Sequence, residues 1–551
     1  MSALKWLCIA TLILLVPGAY TMANDTFHAV TLVDPDNPVS PEWLQKAGID
    51  YVYTSAPRQM DTDANGEPVL PEKQGEQWNR LQATYAGTGI KILVMSNYYQ
   101  HPPEGAEAVD CAGETLDMAC LYQDEFYEWM RQVIIEQAKA YSRYNIFGGF
   151  VFDDGWGTRV DACYCDTCRE LFAGEYGKEP PPFEVHRGTG VIDDDDALLE
   201  WEEFQRAAYD RYVREQSEAV RSVSDDLLMF TIPSDSYFYG RLLHMNAARE
   251  ELADDAGALI QRIERCQVED WFLYQSFPLP RLPEADEEGL QHFGVGIHIT
   301  AQSPKLILST EGPFAPTRAR LQMMSPDEIA QMARITITEG ANAVCYWVSG
   351  HYTALYPDGY DGMAEVYDDL QAVGDLLADR EPVSPEVGLL YSTTTEVMEQ
   401  PWQENTAERW QHLHSVEGTA FALLRGNIPF RIVMEDQIAD GALEGLKALV
   451  VPSARFLSQS AHRAINAAAE DGLAVCVCGP CVEIDRSMNI PYDVAYWHRR
   501  VQKGYRQRSY LDAQYIDACS DMLPLLRDNS DLDVSVASDA EIGKIYSAGE
   551  N

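Results

Sequence analysis

The chain has 551 residues, more than one ordinary hydrophobic core accommodates, and this length fits two or three domains. Apolar residues make up 46% of the chain and aromatic residues 10%, a composition that excludes disordered and fibrous proteins. Acidic residues number 87 against 41 basic ones, which gives a formal net charge of −46 at pH 7. Such a surface repels phosphate backbones and anionic lipids, so we expect no nucleic-acid binding and no electrostatic membrane docking; neutral ligands such as sugars carry no such penalty.

The first 23 residues have the pattern of a secretory signal peptide. Lys5 precedes an apolar stretch, residues 6–16, that is too short to span a bilayer comfortably, and Thr21-Met22-Ala23 supplies a plausible cleavage site. An uncleaved anchor is the alternative interpretation. We expect a mature protein that is secreted or periplasmic and is not bound to a membrane.

Eight short runs rich in β-branched and aromatic residues follow, most of them separated by amphipathic, helix-like segments such as residues 124–144 and 200–222. The runs are residues 28–33, 51–55, 90–96, 149–153, 228–232, 271–275, 305–309 and 343–348. Alternating strands and helices favour a parallel sheet, and eight repeats favour a closed (β/α)8 barrel over residues 24–380. An open doubly wound sheet is the alternative. In a barrel the active site lies at the C-terminal ends of the strands, so the residues there are the candidates for function.

The pattern breaks at residues 379–385, which we interpret as a domain seam. Residues 386–551 then predict a smaller, flavodoxin-like doubly wound domain. Its strands are expected at 387–391, 430–434, 448–452 and 473–478, and its helices at 412–425 and 460–469. It has no glycine fingerprint for phosphate, so a packing or assembly module is the favoured interpretation. The segment after Met488 is polar and rich in Tyr and Arg.

Three cysteines stand within six residues directly after the fourth predicted strand, in Cys163-Tyr-Cys165-Asp-Thr-Cys168. Tetrahedral zinc needs four such donors, and the fourth is expected to be Cys120, with Cys111 as the less favoured choice. Disulfides are the alternative, because an exported protein permits them. In either case the cluster is structural, since four thiolates leave no open position on the metal.

The fourth strand ends in Asp153-Asp154-Gly155-Trp156. A carboxyl group can act as acid, base or nucleophile in sugar chemistry, and an indole face stacks on a pyranose ring. Because side chains alternate along a strand, Asp153 and Asp154 cannot point the same way. The alternative role for an Asp at this place is to cap the following turn.

The seventh strand is followed by Glu311-Gly-Pro. A glutamate at the end of an otherwise apolar strand is costly unless water or substrate reaches it, so Glu311 is the second catalytic candidate. A salt bridge to a rim residue such as Arg318 is the alternative. Two carboxyl groups facing each other across a barrel are what glycoside hydrolysis requires.

Polar and aromatic residues at other strand ends would complete a sugar cleft. Taken singly, each of them is as consistent with packing as with contact to a sugar. They are Asn97, Tyr98, Tyr274, Trp347 and His351. An acidic run, Asp193–Asp196, lies in a Pro-rich insertion after the fourth strand; a solvated loop is the favoured interpretation and calcium binding the alternative.

Several of these motifs together resemble the family 42 β-galactosidases. They are the cysteine motif, Cys120-Leu-Tyr-Gln-Asp-Glu-Phe, Ser309-Thr-Glu311-Gly-Pro, Glu339-Gly-Ala-Asn-Ala-Val-Cys-Tyr-Trp347, and Gly445-Leu-Lys-Ala-Leu-Val-Val-Pro452 with Asp471-Gly-Leu. The resemblance implies zinc held by Cys163, Cys165 and Cys168 with Cys120 as the fourth ligand, and Glu311 as the nucleophile. It also implies that the second domain is similar to the family's trimerisation domain, which would make the protein a homo-oligomer.

One departure from that family concerns the proton donor. The family has Asn-Glu-Tyr-Gly where this chain has Asp154-Gly155-Trp156-Gly157, which places Gly155 at the acid/base position. Asp154 or Asp153 would then be a displaced acid, or Asp153 the nucleophile with the acid elsewhere, or the site would bind sugar without cleaving it. The sequence thus favours an exported glycoside hydrolase, with a carbohydrate-binding pseudoenzyme and a barrel hydrolase using an open metal site as alternatives.

Overall fold

The computed structural model describes residues 28–57, 59–153, 163–182 and 188–232. Further along it describes 271–276, 306–310, 314–317, 320–323, 330, 334, 343–346, 361–369, 380–382, 385–399, parts of 412–426, 428–490, 522–529 and 546–548. The predicted signal peptide lies outside these residues.

Eight parallel strands form a closed barrel, in which each strand pairs with its neighbours in the sequence and the last pairs with the first. They are β1 (His28–Leu32), β2 (Ile49–Ser55), β3 (Lys91–Ser96), β4 (Phe147–Asp153), β5 (Leu228–Ile232), β6 (Trp271–Ser276), β7 (Leu306–Thr310) and β8 (Ala343–Tyr346). Because all eight run in the same direction, their C-terminal ends share one rim.

The described helices of the barrel half cover the strands. They are α1 (Pro41–Lys46), α2 (Glu72–Tyr85), α3 (Asp124–Tyr141), α4 (Asp166–Tyr176) and α5 (Ala197–Arg221). In α3 the residues Phe126, Met130 and Ile134 recur at a spacing of four and are fully buried, so this helix presents one apolar stripe to the barrel. The Asp196 side chain caps α5 by accepting a hydrogen bond from the Leu198 N–H.

A second, five-stranded parallel sheet follows. Its strands are β9 (Val387–Tyr391), β10 (Phe430–Met434), β11 (Ala448–Pro452), β12 (Ala474–Cys478) and β13 (Met488–Ile490), in the order β10-β9-β11-β12-β13. The helices α6 (Thr393–Glu399), α7 (Gln459–Glu470) and α8 (Met522–Asn529) accompany it. Every residue of β9 and β11 is buried, as expected of central strands covered on both faces.

The predicted α/β class with parallel strands is confirmed. All eight barrel strands lie within a few residues of their predicted positions. Residues 347–348, the end of the last predicted run, lie outside the described part of the chain. The predicted seam at 379–385 contains the short strand Arg380–Pro382, which pairs with Tyr546–Ala548. Within the described part of the chain, no helix combines the length and apolar character needed to cross a membrane.

Two short strands connect the halves of the molecule. The insertion strand, Gly190–Ile192, lies between α4 and α5, and the seat strand, Phe456–Ser458, lies between β11 and α7. The two pair in parallel with Gly190 opposite Phe456 and Ile192 opposite Ser458.

Candidate functional site

Four cysteines converge beside the barrel rim. Cys120 directly follows the hairpin strand Thr115–Ala119, Cys165 is the N-cap of α4, and Cys168 lies in the first turn of α4. The sulfur atoms of Cys120, Cys163, Cys165 and Cys168 all lie within 4.8 Å of one another. Cys111, the other candidate for the fourth position, does not belong to this group.

The spacing of the sulfurs fits a tetrahedral metal. The Cys120 sulfur lies 3.5 Å from that of Cys168 and 3.6 Å from that of Cys165, and no disulfide joins them. Four sulfurs about 2.3 Å from a zinc ion would stand about 3.8 Å apart at the corners of a tetrahedron. Cys120 and Cys168 are fully buried and Cys163 nearly so, so a metal here would be enclosed rather than open to substrate.

The four thiols are close enough to interact, and these contacts shift their pKa values in opposite directions. The pKa of Cys165 is lowered, chiefly by its contact with Cys120 and then by those with Cys163 and Cys168. The pKa of Cys168 is raised, chiefly by its contact with Cys120 and then by those with Cys163 and Cys165. A metal ion would replace the thiol protons, since the thiolate is the form that binds it.

Backbone groups hold the cluster in place. The N–H groups of Val109 and Cys165 donate to the Cys163 sulfur at 3.3 and 3.5 Å, and the Tyr164 N–H donates to the Val109 carbonyl at 2.7 Å. Val109 ends the first strand of a hairpin, Glu107–Val109 with Thr115–Ala119, that follows β3. The cluster therefore joins the segments that follow β3 and β4.

Two of the carboxylate candidates, Asp153 and Glu311, belong to the ends of β4 and β7. Asp153 is the last residue of β4 and pairs with Ile232 of β5. Thr310, the last residue of β7, pairs with Ser276 of β6 and Tyr346 of β8, and Glu311 follows it in the chain. β4 and β7 are three positions apart in the ring of eight.

Several predicted site residues lie outside the described part of the chain, namely Glu311, Asp154, Trp156, Trp347 and His351. Asp153 and Tyr274 are described as positions in β4 and β6 only.

Tyr98 requires a correction. Its side chain is fully buried, its hydroxyl donates to the Gln137 Oε1 atom of α3 at 2.5 Å, and its ring contacts Trp129 and Phe152. A sugar ring could stack on Tyr98 only if these contacts were broken, so we reassign it to packing between β3 and α3.

Asn97 lies at the same strand end and is half-buried. Its Oδ1 atom accepts a hydrogen bond from the Gln100 N–H at 3.0 Å. Asn97 therefore caps the turn after β3. Its predicted role in substrate binding stays a prediction.

Three buried polar residues, Gln137, Glu435 and His412, were not among the candidates that the sequence offered. Gln137 is fully buried and its Nε2 atom donates to the Pro57 carbonyl at 2.7 Å. The sequence feature that could have identified it is a single amide side chain on the apolar stripe of α3. In the second domain, Glu435 and His412 are both buried. For Glu435 the sequence signal was an acid directly after the apolar run Ile432–Met434.

No protein-family model matches the chain. No curated protein sequence matches it either.

Solved structures do match. The β-galactosidase from Rahnella sp. R3 has a TM-score of 0.57 at 14% sequence identity, with 83% of this chain and 71% of that chain covered. A GH42 β-galactosidase from G. stearothermophilus has a TM-score of 0.59 at 12% identity, covering 84% of this chain and 72% of that one. The β-galactosidase from the Antarctic haloarchaeon Halorubrum lacusprofundi gives 0.52 at 14% identity, with 82% and 72% covered.

At these identities the likeness concerns the fold. It extends over both halves of the molecule, since more than four fifths of the chain is covered. The resemblance to family 42 suggested by the sequence motifs is thus confirmed at the level of structure: the chain has the fold of the GH42 β-galactosidases.

Proposed function

We propose that the protein is an exported glycoside hydrolase that acts on a neutral oligo- or polysaccharide. The observation that carries the proposal is the closed parallel barrel, because it brings the C-terminal ends of β4 and β7 to one rim. In the sequence, acidic residues stand at or directly after these two strand ends, which supports a carboxylate pair. The similar solved structures are glycoside hydrolases, a finding that supports the same reaction class.

In this proposal Glu311 attacks the anomeric carbon or stabilises the oxocarbenium-like transition state, and one Asp of the Asp153–Asp154 pair protonates the leaving oxygen. A carboxyl group that donates a proton near neutral pH needs a raised pKa, which burial at the rim would supply. Carboxyl groups about 5–5.5 Å apart imply retention of configuration and a wider pair implies inversion.

A carbohydrate-binding protein without hydrolytic activity is the second candidate. It is favoured by one observation, the glycine at position 155 where the resembled family has its proton donor. The net charge of −46 suits a neutral carbohydrate in both cases, because an anionic ligand would be repelled.

A screen of aryl glycosides and polysaccharides tests the proposal, with the wild type measured beside Glu311→Gln, Asp154→Asn and Asp153→Asn. We expect Glu311→Gln to lower kcat at least about a thousandfold, and one Asp variant to lower it about a hundredfold or more. Binding of oligosaccharides by calorimetry should persist in all three variants. Sugar binding without turnover by the wild type would decide for the second candidate, and full activity of Glu311→Gln would overturn the mechanism.

We further propose that the four-cysteine cluster holds a structural zinc ion. The distances between the sulfurs and their burial support this, and the chemistry supplied by the metal is a fixed link between the segments after β3 and β4.

Elemental analysis of the purified protein tests the zinc proposal, with Cys165→Ser as the variant and Cys111→Ser as the matched control outside the cluster. We expect one zinc per chain in the wild type and the control, and loss of zinc in Cys165→Ser. The thermal midpoint of that variant should fall by about 10 °C, since each kcal/mol lost shifts the midpoint of a domain this size by about 2–4 °C. A metal-free wild type of equal stability would contradict the proposal.

Export and self-association complete the proposed function. The pattern of residues 1–23 supports cleavage and export, and the resemblance of the second domain to a trimerisation domain supports a homo-oligomer. The N-terminal residue of the secreted protein and its mass by light scattering are the corresponding measurements.

A further inference from the structure

The insertion strand attaches the barrel half to the second domain at several points. The Gly190 N–H donates to the Arg455 carbonyl at 2.9 Å, and the Arg455 Nε atom donates to the Gly188 carbonyl at 2.9 Å. Asp194 accepts from both the backbone N–H and the hydroxyl of Ser460, each at 2.9 Å, in the first turn of α7. The carboxylate thus lies at the positive end of that helix, where a negative charge is stabilised.

The seat strand is held from its other side by buried polar groups. The Ser458 N–H donates to Glu435 at 2.6 Å, the Ser392 hydroxyl donates to the Phe456 carbonyl at 2.9 Å, and the Phe456 N–H donates to Thr395 Oγ1 at 3.0 Å. Ser392, Thr395 and Glu435 are all buried, and Ser392 and Glu435 directly follow β9 and β10. The carboxyl ends of these strands therefore fix the position of the seat strand.

Open parallel sheets bind ligands at the carboxyl ends of their strands, in the crevice where the strand order reverses. In this sheet the order reverses between β9 and β11. His412 occupies that place. Its Nε2 atom accepts from the Ser392 N–H at 2.8 Å, and its Nδ1 atom bonds to the Pro452 carbonyl at 2.8 Å. His412 is buried and both of its ring nitrogens are engaged, so a side chain of the chain itself lies at this place and bonds to Ser392, which also holds the seat strand.

Two groups of packed side chains, joined by one turn of α5, connect the seat strand with the cysteine cluster. Leu198, in the first turn of α5, packs with Phe456 and Met398 of the second domain. One turn further along α5, the buried Trp201 contacts the rings of Tyr164 and Phe172. Tyr164 stands between Cys163 and Cys165, so the second group ends inside the cluster.

A salt bridge strengthens the same connection. Lys178, just after α4, lies 2.9 Å from the Glu200 carboxylate of α5 and also donates to the Asp195 carbonyl. The end of α4, the acidic turn (Asp193–Asp196) and the start of α5 are thus joined to one another. Together they contact the second domain.

We propose that the second domain is an intramolecular brace that positions the fourth β/α unit of the barrel, comprising β4, the cysteine cluster and α4. The insertion strand and Asp194 are its contact points, and the line from Leu198 through Trp201 to Tyr164 transmits the constraint. The proposal goes beyond the glycosidase assignment and rests on it only for its kinetic consequence. A rigid support keeps catalytic groups aligned with the bond that they cleave. Loosening the brace should therefore lower kcat and leave KM nearly unchanged.

Gly190→Pro tests the brace, because proline removes the N–H that bonds to the Arg455 carbonyl. Gly190→Ala is the matched control: it keeps the N–H, and an added Cβ would meet no atom within 4 Å. Hydrogen exchange of the full-length protein is followed by mass spectrometry, together with kcat and KM on the substrate identified by the screen.

We expect Gly190→Pro to speed exchange at residues 191–192 and 456–458, and also at residues 163–176, by about tenfold or more over the control. If the protein is a glycosidase, kcat should fall by a similar factor with KM nearly constant. Faster exchange confined to the two short strands would overturn the brace. The exchange result stands whether or not the protein hydrolyses sugars, so failure of the brace and failure of the proposed function are distinguishable.

Asp194→Ala is the second variant and Asp194→Asn its control, since the amide oxygen can still accept the bonds from Ser460. This exposed position tolerates change without loss of folding. We expect Asp194→Ala to speed exchange at residues 163–176 more than Asp194→Asn does, and equal exchange in the two would contradict the role given to the acidic turn.

Discussion

At position 149 the backbone of β4 leaves no space for a side chain. Gly149 has a φ of +142°, and a Cβ atom built there would lie 2.0 Å from the Leu228 carbonyl oxygen of β5. Leu228 is its partner in the barrel register, so the clash is between two backbones that cannot separate without breaking the ladder.

We expect Gly149→Ala to destabilise the protein by about 3 kcal/mol or more, since strained backbone and overpacking each cost about 1–3 kcal/mol. Gly174→Ala is the control, because this glycine is exposed within α4 and an added Cβ meets no atom within 4 Å. The control should be stabilised by about 0.5–1 kcal/mol, since Ala favours a helix over Gly. Urea unfolding measures both, and equal midpoints would refute the constraint at position 149.

His412 makes the stability of the second domain depend on pH. Burial lowers its pKa to about 4, and the Ser392 N–H requires its Nε2 atom to be unprotonated. The charged groups bonded to this region are Glu399, which accepts from the His412 N–H, Arg455, which pairs with Glu399, and Glu435, whose pKa is raised by burial.

Because the unfolded chain takes up a proton on His412 below a pH of about 6.5 and the folded one does not until about 4, its contribution is complete above 6.5 and declines as the pH falls toward 4. The loss amounts to about 3 kcal/mol. The raised pKa of Glu435 acts in the opposite direction, because its protonated form is favoured by the fold. We expect the urea midpoint of the wild type to fall between pH 6.5 and 4, and that of His412→Gln to fall less. Parallel curves would show that another group controls the acid response.

At the scale of elements, the strands were predictable because their signal is local. Each barrel strand is a short apolar run bounded by polar residues, and a strand buried on both faces needs little else. The direction of a side chain just beyond a strand is not local. Tyr98 stands two residues after the end of β3, where strand alternation no longer applies, and the hydroxyl bond to Gln137 on α3 decides its direction.

The cysteine cluster also combines a part that local sequence predicts with a part that depends on distant residues. Three of its members are close in the sequence, so their convergence follows from the spacing alone. The choice of Cys120 over Cys111 depends on the hairpin Glu107–Ala119, because Cys120 stands at the end of its second strand, beside the cluster, whereas Cys111 lies in its turn.

For the whole molecule, the net charge of −46 predicts a stability that depends on salt. Like charges at this density repel each other in the compact state, and salt shortens the range of that repulsion to about 10 Å at 0.1 M. We expect the thermal midpoint to rise between about 0.05 and 0.5 M NaCl and then to level off. Sucrose of equal osmolality, which does not screen charges, should raise the thermal midpoint less than NaCl does. A midpoint that keeps rising linearly would indicate general salting-out instead of screening.

Local sequence patterns were enough to predict the alternation of strands and helices, the order of the two halves, the three adjacent thiols and the acidic residues at the ends of β4 and β7, because each of these features lies within a short stretch of chain. Contacts between residues distant in the chain became known only from the folded structure. The fourth thiol of the cluster, the burial of Tyr98, the bond from Ser392 to His412 at the second sheet's edge and the pairing of Gly190–Ile192 with Phe456–Ser458 all join residues that are far apart in the chain. Such contacts are fixed by the packing of whole elements, which no local pattern specifies.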